Sequence, residues 1–316
     1  MRAIHFDRRP MAQALAPLLT LLLMLPGIAS AGIVDTDLPA DSSWYFHTDL
    51  KEMRSSEAGR ELHAWLDREV FAELRSEIGI DLSKEADRVT AYSYGNDDVV
   101  FVLEGDIDPV SKDKLMAIAA GADEFATLTH KKMAYHFVRG DIESEGDDID
   151  VDAFVDGAYF SFAIDDKLIA TSTEQQMQEL LENRGKVAGS RSHKGSMFVL
   201  TAERSLVQAG VNADELTDSD NGWDSNFLKN AKQVALLVAD AGGKIAIEAQ
   251  MIAADAEKAN ALASIARGII ALQAFSEEME PEIRSILQNT TIDVADTMLK
   301  LSLALDPSFV VATLDD

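Results

Sequence analysis

The stretch DIESEGDDIDVD, residues 141–152, holds seven carboxylates in twelve positions and no cation. A calcium loop needs oxygen ligands at positions one, three, five and twelve, with a glycine at six for the sharp turn. Asp141, Glu143, Glu145 and Asp152 occupy those ligand positions, and Gly146 occupies the turn. If the loop holds an ion, calcium is the cation and these four residues are its metal ligands. Three features weaken the fit. Glu stands at positions three and five, where the shorter Asp or Asn leaves more room. Asp148 takes the place of the usual apolar residue, and Ile149 comes one position late. The flank KMAYHFVRG alternates like a strand, with Met133, Tyr135 and Phe137 on one side, so no helix precedes the loop. The segment reads better as an exposed hairpin tip that joins two strands, discourages edge pairing by its charge and binds cations weakly at most. A second acidic loop, DELTDSDNGWD (214–224), places Gly222 suitably but has no carboxylate at the twelfth position.

Other chemistries find little support. The chain has no Cys, which excludes thiol nucleophiles, thiolate zinc sites, iron–sulfur clusters and a disulfide framework. His47, His63, His130, His136 and His193 fall in no HExxH or HxH arrangement. His47 and His136 alternate with apolar residues on predicted strands, and His63 follows Leu62 on a predicted helix, which suits structural roles. No GxSxG elbow, GxxxxGK[ST] loop or strand-following GxGxxG occurs. Paired carboxylates such as Glu104 and Asp106 are plentiful. A hydrolase built on such a pair needs one carboxyl buried and raised in pKa.

The first residues read as an export signal. Arg2, Arg8 and Arg9 precede an apolar run from Ala12 to Leu25, Pro26-Gly27 breaks it, and Ala29-Ser30-Ala31 forms a small-residue cleavage site. Removing 1–31 takes away three Arg and one Asp, so the remainder carries 28 − 3 = 25 cations and 55 − 1 = 54 carboxylates, a net charge of −29. That balance argues against a nucleic-acid partner, because phosphate binding needs clustered Lys and Arg. The length left is enough to bury a sizeable core in one large domain or two ordinary ones.

The elements that must position any site emerge from self-comparison. Residues 88–121 and 233–268 each begin with a β-rich run, Val89–Tyr94 and Val234–Ala239. A Gly/Asn/Asp turn follows, then a second strand, Val99–Leu103 or Ile245–Ala249, then a helix ending in Gly. Asp108, Pro109 and Gly121 frame the first helix; Asp255 and Gly268 stand in the matching places of the second. WYFHTDL (44–50) resembles MFVLTAE (197–203), and residues 160–181 resemble 291–314. Thr173 with Gln176 predicts a capping box, and Asp306-Pro307 opens the equivalent helix. The pattern predicts an α+β fold: two tandem copies of a β-α-β-β-α-β-β-α unit, with mainly antiparallel sheets and helices packed on one face. The expected organisation is a signal peptide at 1–31, a first repeat at 32–185, a connector at 186–195 and a second repeat at 196–316.

The segments LPADSSWYFHTDL (38–50), GIDLSKEADRV (79–89) and VLEGDID (102–108) resemble a pattern of exported bacterial proteins of unknown function. In that pattern an LPAD start, a GIDL turn and a GD-D strand end precede a duplicated α+β unit. The resemblance spans most of the chain after the leader and implies architecture and export; it carries over no catalytic residue. The resulting expectation is a periplasmic or secreted non-enzymatic binding or interaction protein. Its partner is a protein or small ligand of the cell envelope, and no membrane span follows the leader. The alternatives are a calcium-stabilised extracellular module and a hydrolase using carboxylates.

Overall fold

A computed structural model of the 316-residue chain describes residues 39, 42–72, 75, 81–94, 98–140, 157–187, 195–203, 231–274 and 281–315. Residues 1–31, expected as a leader, both acidic loops and residues 188–194 of the expected connector lie outside the described residues.

The elements in chain order are β1 (Trp44–Asp49), α1 (Leu50–Ser55), α2 (Glu57–Leu66) with one π-helical turn (Asp67–Phe71), and α3 (Leu82–Glu85). Then come β2 (Arg88–Ser93), β3 (Val99–Glu104), α4 (Pro109–Ala120), β4 (Glu124–His130), β5 (Met133–Arg139), β6 (Ala158–Ser161), β7 (Lys167–Thr171) and α5 (Glu174–Glu182). The remainder is β8 (Ser196–Glu203), β9 (Ala231–Asp240), β10 (Ile245–Ala253), α6 (Ala256–Ala274), α7 (Pro281–Gln288), β11 (Thr291–Ala295), β12 (Met298–Leu305) and α8 (Pro307–Asp315). The fold is thus mixed α+β, with antiparallel strand pairs. The described residues fall into two compact units. The larger takes in Gly32–Leu200, Gly242–Ile245 and Asp306–Asp316; the smaller takes in Thr201–Ala241 and Ala246–Leu305.

Local chemistry starts the helices where the sequence places them. Asp108 accepts the Val110 amide at 2.7 Å, and Pro109 presets the first helical φ of α4. Thr173 accepts the Gln176 amide at 3.4 Å and donates to its side-chain carbonyl at 3.0 Å, starting α5. Asp255 accepts the Lys258 amide at 2.8 Å and starts α6. That helix continues through Gly268 to Ala274 rather than ending at the glycine. A mid-helix glycine costs only about 1 kcal/mol, and Ile265, Ala266, Ile269 and Ile270 keep the helical period across it.

In the larger unit the strand order is β8-β1-β2-β3-β7-β6-β5-β4. Every pairing from β1 through β4 is antiparallel. Alternate residues face opposite sides, so the register sorts side chains into rows. On one face Tyr45, Tyr92 and Val100 form one buried row, and His47, Thr90, Val102 and Ile169 the next. The α5 helix belongs to this face: Tyr135 donates to Glu174 at 2.6 Å, and Gly185, just past the helix, abuts Lys167 and Ile169. The opposite face carries α4, where Ala119 clusters with Val138 and Ala158, against Ala122, Phe125 and Phe160. Helices therefore cover both faces here, whereas the hairpin pattern implies one. The reason is connectivity. Four antiparallel steps make β3 and β4 parallel, so α4 is a crossover that must lie over the sheet, while α5 leaves β7 toward the other side.

The smaller unit has the order β9-β10-β12-β11. Leu299, Leu301, Leu303 and Leu305 alternate along β12 and are all buried, with Ile292 directly opposite Leu301. The α6 helix buries Ala259, Leu262, Ala263 and Ala266. Small residues on that stripe let the backbone approach closely, and Arg267 donates to the Ile292 carbonyl at 2.7 Å.

Tyr45 and Ser302 each bury a hydroxyl that has no hydrogen-bond partner, and Tyr45 is the larger case. Tyr45 is 0% exposed, and its hydroxyl has no hydrogen-bond partner. Burial alone pushes its pKa far up, so it stays a neutral phenol. A buried unpaired hydroxyl costs about 1–3 kcal/mol. Tyr45→Phe is expected to raise the unfolding free energy by about 1 kcal/mol in urea denaturation; a loss would show that the hydroxyl makes a favourable interaction.

Candidate functional site

The face opposite the Tyr45 row carries one continuous line of residues. Cross-strand register places Phe46 opposite Ala91, Ala91 opposite Phe101, Phe101 opposite Ala170, Ala170 opposite Phe160, Phe160 opposite His136 and His136 opposite Thr127. Aromatic and small residues thus alternate from Phe46 to Phe160. Phe198 of β8 meets Phe46 edge-on at 5.3 Å. At the other end His136 stacks on Phe125 at 5.6 Å and 10°, and lies 5.0 Å from Phe160. The aromatic members and both alanines are half-buried, and Val99, beside Phe101 on the same face, is 39% exposed. Such a surface offers flat stacking contacts separated by shallow gaps over the alanines.

Its one titratable member is His136. Burial lowers its pKa, so the imidazole is neutral at neutral pH, and its Nδ1 shares a 3.1 Å hydrogen bond with Thr127 Oγ1. The row is suited to binding by apolar contact and stacking rather than to proton transfer.

The polar residues singled out from sequence have other partners. His47 is 3% exposed and shares a 2.8 Å hydrogen bond between Nδ1 and Thr90 Oγ1. His63 is half-buried on α2 near Phe71, and burial followed by the nearby Arg54 charge lowers its pKa. His130 hydrogen-bonds Glu182 at 2.7 Å. His193, and the proposed ion ligands Asp141, Glu143, Glu145 and Asp152, lie outside the described residues.

Glu104 belongs to a cross-strand ion ladder. Asp49 pairs with Arg88 at 3.0 Å, Arg88 pairs with Glu104 at 3.1 Å, and Lys167 pairs with the other Glu104 oxygen. Burial pushes the Glu104 carboxyl up, but hydrogen bonds and charge from Lys167 and Arg88 outweigh it and hold the group below its ordinary value. A proton-donating acid would need the opposite shift, and Asp106 is exposed. Among the described residues no three His, Asp or Glu side chains gather to hold a metal. None of the described helices is long and apolar enough to cross a membrane.

The aromatic row was not visible from sequence. Its only trace is that WYFHTD and VVFVLE are apolar at odd and even positions alike, which marks strands with two occupied faces. Which aromatic stands opposite which alanine depends on register across distant strands.

No protein-family model matches the chain, and no curated protein matches it. Among solved structures, crystal form I of TP0453 aligns with it at 8% identity and a TM-score of 0.43, over 90% of this chain and 98% of that one. Form III aligns at 10% identity and a TM-score of 0.39, over 91% of this chain and 99% of that one. Form IV aligns at 9% identity and a TM-score of 0.44, over 90% and 98%.

Proposed function

We propose that this chain is an exported, non-enzymatic binding or interaction protein of the cell envelope, built from two diverged copies of one α+β unit. Its binding surface is the part of the aromatic row on β8-β1-β2-β3, beyond the Phe160 end that α4 covers, and its ligand is a molecule or protein segment presenting apolar or flat aromatic groups. One observation carries the reading: Phe46 and Phe101 flank Ala91 in a single cross-strand line, are each partly exposed, and lie beside Val99, which is 39% exposed. Soluble proteins rarely leave a contiguous apolar face without use.

Two facts support the duplication. The order β2-β3-β7-β6 has the same connectivity as β9-β10-β12-β11. The segment alignment also matches Val102 with Glu248 and Ile169 with Lys300. Val102 and Ile169 are cross-strand partners, and Lys300 Nζ lies 3.6 Å from Glu248 Oε2. Two independently aligned segments thus bring equivalent positions together.

Binding is testable with an environment-sensitive apolar dye, read alongside the fluorescence of Trp44, which lies two residues from Phe46 on the same face. The wild-type chain is expected to bind the dye, and Phe101→Ser with Phe46→Ser is expected to weaken binding at least about tenfold, a loss of about 1.4 kcal/mol. Equal binding by the wild type and the folded double variant would sink the assignment of this face.

A further inference from the structure

We infer that β4 is a self-association edge: two copies of this chain pair antiparallel through Glu124–His130, centred on Thr127, to join their sheets. Three independent features of the segment carry this.

The first is position and hydrogen-bonding capacity. Among the described residues β4 ends the strand order of the larger unit, with β5 on one side. It pairs with β5 in unbroken register from Glu124↔Arg139 to His130↔Met133. A two-residue hairpin closes on a hydrogen-bonded pair. Glu124, Ala126, Leu128 and His130 therefore turn their amides and carbonyls to β5, while those of Phe125, Thr127 and Thr129 point outward. Natural edges are usually blunted by an internal Lys, Pro or bulge; the interior of β4, FATLT, has none of these.

The second is self-complementary charge. The chain carries −27, and a surface meeting its own copy must escape that repulsion. Residues 123–132 do so with two acids, Asp123 and Glu124, and two lysines, Lys131 and Lys132, for a sum of zero. The acids stand at one end and the lysines at the other. Pairing centred on Thr127 sets Thr127 against Thr127 of the second copy, Phe125 against its Thr129, Glu124 against its His130 and Asp123 against its Lys131. Thr–Thr and opposite-charge pairs are favourable cross-strand neighbours. The other terminal strand, β11, is the contrast: the same operation on Thr291–Ala295 sets Asp293 against Asp293, a like-charge pair.

The third is backbone strain. Lys131 and Lys132 adopt φ of 47° and 69°. Such turns favour Asn-Gly, and each non-glycine residue there carries strain. Lys131 pairs with Glu182 at 2.7 Å, and Lys132 beside it adds a further positive charge at the hairpin tip, where the acids of the second copy arrive.

The test is sedimentation of the purified chain and three variants over a concentration series reaching about 100 µM. The wild type is expected to dimerise. Lys131→Glu with Lys132→Glu, and separately Asp123→Lys with Glu124→Lys, are each expected to weaken self-association at least about tenfold. A mixture of these two chains is expected to form heterodimers, because every end then meets its opposite. Thr127→Pro removes an outward amide and leaves those directed at β5, so it is expected to be monomeric with the hairpin intact. A wild-type monomer throughout, a dimer indifferent to the charge reversals, or a mixture that stays monomeric would each overturn the inference. The dye test reads the sheet face and not its edge, so the two proposals fail separately.

Discussion

Replacing Gly105 with alanine lowers the unfolding free energy by about 3 kcal/mol, as overpacking against rigid groups does. A Cβ built at Gly105 would lie 2.0 Å from the Glu85 carbonyl oxygen, 2.9 Å from the Asp87 amide nitrogen and 3.0 Å from Ala86 Cα. All three are backbone atoms, so no side chain can swing aside. The residue is also tied on its other side, its amide donating to the Asp166 carbonyl at 2.9 Å. The close approach is where α3 and the start of β2 pass the end of β3, and Asp87 donates there to the Glu104 carbonyl at 2.7 Å. Two controls separate this clash from a general effect of adding a methyl group. Gly121→Ala meets its nearest atom, the Ile118 carbonyl oxygen, at 3.3 Å and is expected to change little. Gly268→Ala, with nothing within 4 Å on helix α6, is expected to stabilise by about 0.5–1 kcal/mol. Chemical denaturation of the three variants reads the order directly. If Gly105→Ala proved as stable as Gly121→Ala, the packing of α3 against β3 would be wrong.

Cutting Lys167 out of the ion ladder has a comparable effect. Lys167 and Glu104 side chains are only 12% and 14% exposed, and Arg88 bridges on to Asp49. Lys167→Met keeps the side chain's length and removes its charge, leaving the Glu104 carboxylate half-paired in a place with little water. Breaking a buried pair on one side costs about 3 kcal/mol or more, because the remaining charge is uncompensated. Adding Glu104→Gln to Lys167→Met is expected to recover part of that loss, since removing both charges also removes the desolvation penalty. The pH dependence has a defined sign. The Glu104 carboxyl is held below its ordinary value in the folded chain, so the folded state holds its proton less tightly than the unfolded state does. Its contribution is full above the ordinary carboxyl pKa of about 4.3 and is lost as pH falls through the folded value. Denaturation series between neutral pH and about pH 3 should show this acid limb in the wild type and a smaller one in Lys167→Met. An unchanged acid limb would mean that Glu104 is not the group the ladder holds.

Gly105 and Glu104 also show how far each kind of information reaches. VLEGDID stood out in the sequence as a strand end followed by a helix start, and the strand, the Asp108 cap and the Pro109 opening all lie there. The same letters say nothing of Lys167, sixty-three positions away, or of the Glu85 carbonyl that leaves no room for a side chain at 105. The crossover helix α4 shows the same division. Its ends follow from local capping, whereas the face it covers depends on the order in which β7, β6, β5 and β4 line up. The compact units interleave along the chain too: the larger one takes in the 242–245 turn and α8, where Trp65 and Arg68 of the α2 region each bond Asp315 at 2.8 Å.

The predicted β-α-β-β-α-β-β-α succession lacked two of the four strands that follow α4. Sequence by itself determined the composition class, several of the hairpins and the capped helix starts. These are decided within a few residues, by side chains reaching their own backbone and by the period of apolar positions. Only the tertiary structure decided that Phe46, Phe101 and Phe160 form one line, that Glu104 is an ion-paired base rather than an acid, and that a charge-balanced β4 lies at the edge. Each of those is a relation between strands far apart in the chain. A one-residue change of register would send every one of these side chains to the other face.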